Sequence, residues 1–321
     1  MDAYIDLANL RSLANSGSNE HFSACKALLK DGYNLMFSFI KEDLLREKKK
    51  DSWAINTFLK AFTSGRGDRV ISYGEKSPDP HNPSDTQHFS AIYLIDESDD
   101  DKAKKSGLLV SPVGKEIDTL RSLFIEKDGN YSREYYTPDF TDWSVIGNNS
   151  SPCTDIVIVD EFVFAESDIN YVNNGYEIIR QLCEHCQCKE MNIVIITQRK
   201  YEVGKDNKEF EIPINTIIRG IKGTVSSLGI NPSVTLVLDT EEHDRMIITN
   251  YKKFVSGASF KYFSINKTFS SKGSTFNAHS LADTTNRETA DKNLKKFQGY
   301  VDNSLECNII GDKKSNLLKF S

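Results

Sequence analysis

The sequence predicts an α/β protein in two regions, the second of them a layered sandwich built on a mixed sheet. Three observations predict it. Residues 155–159 (DIVIV) and 192–197 (NIVIIT) are short apolar runs with almost no polar face, as in strands covered on both sides. Helical periodicity lies between and after them: Ile178, Ile179 and Leu182 recur in one stretch, and Ile214, Ile217, Ile218 and Ile221 in the next. Residues 234–238 and 246–248 are two further apolar runs separated by an acidic turn at 239–242, which reads as two strands joined by a tight connection. Strands alternating with helices pack most economically as layers.

Taken in order, residues 1–18 read as a weakly helical start. From His21 to Phe62 apolar residues recur at three- and four-residue steps, first Phe22, Cys25, Leu28 and Leu29, then Leu35, Phe37, Ile40, Leu44 and Leu45, then Ile55, Phe58, Leu59 and Phe62. That spacing predicts three amphipathic helices, broken at Asp31-Gly32 and at the charged corner 48–51. Three short strands follow, at 69–73, 89–95 and 108–113, separated by a polar loop (77–86) and a charge run (96–105). Residues 116–125 predict a helix with Ile117, Leu120, Leu123 and Phe124 inward. The first region, 1–126, is thus helical with a small sheet.

Residues 127–153 are rich in tyrosine, asparagine and turn residues and read as an aromatic connection between the two regions. With Arg133 interleaved, they also resemble a platform for stacking bases. The α/β region then runs from 154 to 265, with a charged excursion at 198–211. A polar extension, 266–321, carries a loop at 269–285 and one helix at 286–300. If the sheet is mostly parallel, Asp160, Gln198 and His243 converge at one edge, where open α/β sheets collect ligands.

The chain carries a net charge of −6, 38% hydrophobic and 27% charged residues. This balance suits a globular chain and argues against a generally basic nucleic-acid binder, although a local patch is compatible with it. No long apolar run and no leader-like N-terminus occur, so a cytoplasmic protein without a membrane span is expected. Six scattered cysteines suit a reducing compartment. Cys183, Cys186 and Cys188 lack the second ligand pair of a zinc site, and Cys183 and Cys186 are expected to face the core at the end of a helix. Neither a P-loop nor a dinucleotide glycine fingerprint is present, and no serine elbow, so no cofactor and no metal is expected.

The candidate site is His243-Asp244-Arg245 at the start of a strand. A period of two aims His243 and Arg245 to one face and Asp244 to the other. The turn Ser256-Gly257-Ala258-Ser259 offers backbone N–H groups, so that an imidazole, a guanidinium and a turn meet as a phosphate seat. The spacing His243-x-Arg245-x4-Asn250-x6-Gly257 resembles the phospholipase D superfamily motif. It is most similar to the phospholipase-D-like domain at the C-terminus of MIT-domain proteins, which has His-Asp-Arg, a short strand, a glycine-rich turn and a terminal aromatic, here Tyr262-Phe263. The resemblance covers about residues 154–263.

That resemblance implies a nucleophile at His243, a phosphate clamp at Arg245 and an orienting group at Asn250. It also implies phosphate contacts from Ser256, Gly257 and Ser259 and support from Asp160, Glu161 and Asp244. A second histidine, His279, or a homodimer would complete a catalytic pair. Arg245 stands where active members have lysine, Asn250 where they have aspartate and Phe260 where they have asparagine. The implied function is therefore a degenerate module that recognises phosphate on nucleic acid or another ligand within a larger assembly. The alternatives are a metal-independent phosphodiesterase centred on His243, and a scaffold in which His243-Asp244-Arg245 is a polar network.

Overall fold

In the computed structural model the described residues are 1–17, 20–50, 52–65, 67–82, 90–95, 105–136, 139–165, 171–203, 208–238, 242–269, 275–303 and 308–320. The charge run at 96–104 and the residues 239–241 of the acidic turn lie outside them.

The chain opens with a strand, β1 (Asp2–Ile5), followed by α1 (Leu7–Asn15). A helical start alone is therefore corrected. Asp6 turns strand into helix, since its carboxylate caps α1 by accepting from Asn9 N at 2.8 Å. α2 (Phe22–Gly32) forms as expected, but the next segment is a strand, β2 (Asn34–Phe37). Leu35 and Phe37, two apart, share a face in a strand and not in a helix, and pairing beside β1 fixes the strand. α3 (Lys41–Lys50), α4 (Ser52–Thr63), β3 (Ile71–Tyr73), β4 (Ile92–Leu94), β5 (Leu109–Ser111) and α5 (Glu116–Arg121) complete this half. All five strands are parallel, in the order β3-β2-β1-β4-β5.

The second half holds β6 (Ser132–Tyr136), α6 (Ser144–Asn149), β7 (Asp155–Val159), α7 (Glu177–Glu184) extending a π-turn at Tyr171–Tyr176, and β8 (Glu190–Thr197). A hairpin follows, β9 (Lys200–Val203) with β10 (Lys208–Glu211), where the sequence suggested only a charged excursion. Then come α8 (Ile214–Ser226), β11 (Asn231–Leu238), β12 (Met246–Thr249), β13 (Lys252–Ser256), β14 (Thr275–Ser280), α9 (Thr284–Asn303) and β15 (Ile309–Gly311). Eight strands form one mixed sheet, β15-β11-β8-β7-β12-β13-β14-β6.

This sheet is the middle layer of a sandwich. Ile156, Ile158 and Ile247 face one core with Ile178 and Leu182 of α7 and Ile217 and Ile221 of α8. Val157, Val159 and Ile248 face another with Ala290, Phe297 and Val301 of α9. Alternate residues of each strand serve opposite layers, so β7 has no exposed face.

Three expectations change. β11 and β12 are not a hairpin: β8 and β7 lie between them, and β12 pairs antiparallel with β7 and β13. Residues 127–153 do not lie between two bodies, because β6 closes the edge against β14 and Phe140 and Trp143 are buried in the sandwich core. The supposed loop 269–285 contains β14, with Phe276 and Ala278 inward.

The halves are stitched at the β12–β13 turn. Tyr251 is fully buried; its hydroxyl donates to Ala91 O at 2.8 Å and accepts from Leu109 N at 3.0 Å. Beside it the buried Lys252 donates to Leu123 O (2.8 Å) and Phe124 O (2.6 Å). Burial holds its ammonium well below the usual lysine range.

Candidate functional site

The ends of β7 and β8, the start of β12 and the end of β13 meet at one rim of the eight-stranded sheet. Asp160, immediately after β7, is wholly buried and accepts from Phe162 N (2.8 Å), Val163 N (3.1 Å), Phe260 N (2.6 Å) and Ser259 Oγ (2.8 Å). It pins the loop after β7 to the turn after β13. Burial pushes its carboxyl upward, against the pull of these donors and of Arg245.

Glu161 is also buried, at 7% exposure, and reaches the rim. Its Oε1 accepts from Gln198 Nε2 at 3.0 Å and lies 2.8 Å from His243 Nδ1. The His243 ring is itself 78% exposed. The convergence of the segments after β7 and β8 with the start of β12 is therefore present, through Glu161. Arg245 is half-buried on the side of Asp160; its Nε is buried with no hydrogen-bond acceptor among the described residues. His243, Asp244 and Arg245 lie just before β12 rather than in it, and Asp244 points the other way, with a carboxylate oxygen 3.7 Å from Lys296 Nζ on α9. Lys296 also holds the buried Glu242 at 2.7 Å.

The other proposed groups are placed differently. Ser256 N donates to Arg245 O, Gly257 N to Thr275 O and Ala258 N to Ser256 Oγ, while Ser256 Oγ meets Tyr262 Oη at 2.5 Å and Ser259 Oγ bonds to Asp160. The backbone N–H groups of Ser256, Gly257 and Ala258 and the Ser259 hydroxyl are thus spent on the protein. Asn250 is buried at the far end of β12, where its Oδ1 accepts from Thr154 N (2.9 Å) and Asp155 N (3.1 Å). His279 sits on β14 between Lys253 and Ser132, its Nδ1 2.9 Å from Ser132 Oγ. Burial, then Lys253, lowers its basicity. Counting from Phe276 beside Ser256, it lies roughly 10 Å along the strand from the rim. It faces α9, as does Lys253, whose Nζ reaches Asn293 Oδ1 at 3.3 Å.

Cys183 and Cys186 are buried as expected, as are Cys25, Cys153 and Cys188, with Cys153 Sγ 3.7 Å from Cys186 Sγ. Among the described residues no group of three or more His, Cys, Asp or Glu side chains is placed to hold a metal ion, and no helix is long and apolar enough to cross a membrane.

A second rim was not anticipated. In the parallel sheet the strand order reverses between β1 and β4, and ligands of open parallel sheets bind outside the carboxyl ends of the strands at such a point. Here Asp6 follows β1, and Glu116 opens the helix after β5. Asn9 is fully buried; its Nδ2 donates to Asp6 at 3.1 Å, while its Oδ1 has no partner among the described residues. Glu116 accepts from Gly114 N and Ser12 Oγ, both at 3.0 Å. Burial first, and Asp6 as a lesser cause, push its carboxyl above the usual range. The residues Asp6-Leu7-Ala8-Asn9 after an apolar run carried the only signal, and it needed the strand order to be read.

No protein-family model matches the chain, and no curated protein does. Among solved structures it is similar to polyphosphate kinase from Porphyromonas gingivalis, with a TM-score of 0.30 and 10% identity over 78% of this chain. The match spans 36% of that chain, about a third of its length.

Proposed function

We propose that the protein is a phosphate-recognising module of phospholipase-D-like type that binds nucleic acid through the His243–Arg245 rim, without turnover there, as part of a larger assembly. What carries this reading is Arg245: its Nε is a buried donor without an acceptor among the described residues, and such a group is costly unless an acceptor completes it. His243, exposed and anchored by Glu161, stands at the same rim as a second donor. Arginine suits a phosphate that must be held with orientation. The reading without turnover is supported by the placement of His279 and Asn250, which lie away from the His243 rim within one chain.

The test is fluorescence anisotropy with labelled single- and double-stranded DNA and RNA, over a salt series and with product analysis on gels. Arg245→Ala is expected to weaken binding about tenfold, the worth of one charged hydrogen bond, and to flatten the salt dependence by about one counterion. Equal binding by wild type, Arg245→Ala and His243→Ala overturns it.

A second reading is favoured by the unpartnered Asn9 Oδ1 beside Asp6 and Glu116. Magnesium is held by one or two carboxylates together with substrate phosphates, and this rim would supply them for cation-dependent phosphodiester hydrolysis. Its mark is cleavage that needs Mg²⁺ or Mn²⁺, stops with EDTA and is lost in Glu116→Gln and Asp6→Asn but kept in Arg245→Ala. Asparagine retains the cap on α1, so loss in Asp6→Asn is not loss of the helix.

A further inference from the structure

At the end of the eight-stranded sheet opposite His243, a cavity of about 1130 Å³ opens between the two halves. Lys105 reaches it from the first half, Lys189 from the start of β8, and Lys313, Lys314 and Lys319 from the chain after β15. Among the described residues Glu190 is the one acidic side chain lining it, against five lysines. None of the five ammonium groups is in an ion pair among the described residues; the nearby Asp312 carboxylate is committed to Lys222 at 2.7 Å. A concave surface of one sign concentrates counter-ions of the other.

The wall is also built rather than draped. Asp155 is fully buried and accepts from Asn316 N (2.6 Å), Asn316 Nδ2 (2.8 Å), Ser315 Oγ (3.0 Å) and Thr154 Oγ1 (2.8 Å). These bonds fasten the segment that carries Lys313, Lys314 and Lys319 to the base of β7. A site whose charges are fixed before binding loses less entropy when occupied. Leu108, Cys188 and Phe320 give the cavity an apolar side.

We propose that this cavity binds a nucleotide bearing a chain of phosphates, with the phosphates among the lysines and the ring against Leu108 and Phe320. The cavity has room for a ligand larger than a lone anion. Lysines serve as point charges to a flexible phosphate chain. No glycine-rich loop takes part; the charge comes from side chains. The site is separate from the His243 rim and stands or falls without it.

Isothermal titration calorimetry on the full chain tests it, with ATP, inorganic tripolyphosphate, adenosine and a single-stranded oligonucleotide as titrants. ATP is expected to bind at least tenfold more tightly than adenosine, with affinity falling as salt rises. Tripolyphosphate separates the phosphate contribution from that of the ring, and Phe320→Ala is expected to narrow the difference between ATP and tripolyphosphate. Lys313→Gln/Lys314→Gln is expected to weaken ATP binding at least tenfold at unchanged melting temperature, these side chains being exposed; Lys189→Gln repeats the test from the other wall. Arg245→Ala should leave ATP binding untouched, which keeps this result apart from that of the rim. Failure of ATP to bind, ATP binding indifferent to both lysine variants, or binding of the oligonucleotide alone would overturn the proposal.

Discussion

Glu161 Oε1 lies 2.8 Å from Nδ1 of His243, a buried carboxylate holding an imidazole that is otherwise in solvent. The contact fixes where the ring stands, and the residue before Glu161 does something different. Asp160 faces inward and satisfies three backbone N–H groups. The two adjacent carboxylates therefore differ in what they hold, one an exposed ring and the other buried backbone. His243→Ala is expected to change unfolding free energy by no more than about 0.5 kcal/mol, as exposed substitutions do. Asp160→Ala strands buried donors and is expected to cost at least about 3 kcal/mol. Urea unfolding of the two variants checks the contrast; similar losses would mean that His243 is structural.

Lys252 gives a pH dependence with a definite sign. Its folded-state value is depressed well below the usual 10.5 by burial, so the unfolded chain binds the extra proton. Stability then rises with pH from the depressed value to about 10.5 and is lost as pH falls through that window. Tyrosines and cysteines raised by burial titrate in the alkaline range with the opposite sign, so the difference from Lys252→Met is the quantity to follow. Wild type minus variant should climb between pH 7 and 10 in urea titrations. A flat difference would mean that Lys252 stays charged in the fold.

Tyr251 is the seam between the halves. Tyr251→Phe removes the hydroxyl that serves Ala91 O and Leu109 N and is expected to cost about 1–3 kcal/mol. Hydrogen exchange at the Leu109 amide should quicken in the variant. Unchanged protection there would show that the hydroxyl does not hold the seam.

Trp143 tests how residues 127–153 belong. The ring stacks on Tyr262 at 5.4 Å and its Nε1 donates to Asn174 at 3.3 Å. Trp143→Ala is expected to cost roughly 3–5 kcal/mol and to lower the melting of the eight-stranded half. A loss below about 1 kcal/mol would return this stretch to the role of a connection.

Much of the second half could be read in advance. The runs DIVIV and NIVIIT are so apolar that only a strand covered on both faces accommodates them, and β7 and β8 are those strands. The isoleucines of α8 and the leucine and isoleucines of α7 likewise announced helices with one buried face. The first thirty-seven residues were harder. DAYI and NLMF are four residues long, too short for a period of two to outweigh a helical reading, and only their pairing beside each other makes them strands.

The site divides along the same line. Local spacing singled out His243, Asp244 and Arg245, but they lie just before β12 and not in it, so strand alternation does not set where they point. Which partners they meet depended on strand order: β7 beside β12 brings Glu161 to His243, while β13 and β14 carry His279 to the other layer. The gathering of five lysines from three distant stretches of chain, and of Asp6 with Glu116, was equally beyond local reading. Composition sets which segments must be buried, whereas a charge acquires its neighbours only when segments far apart in sequence are packed together.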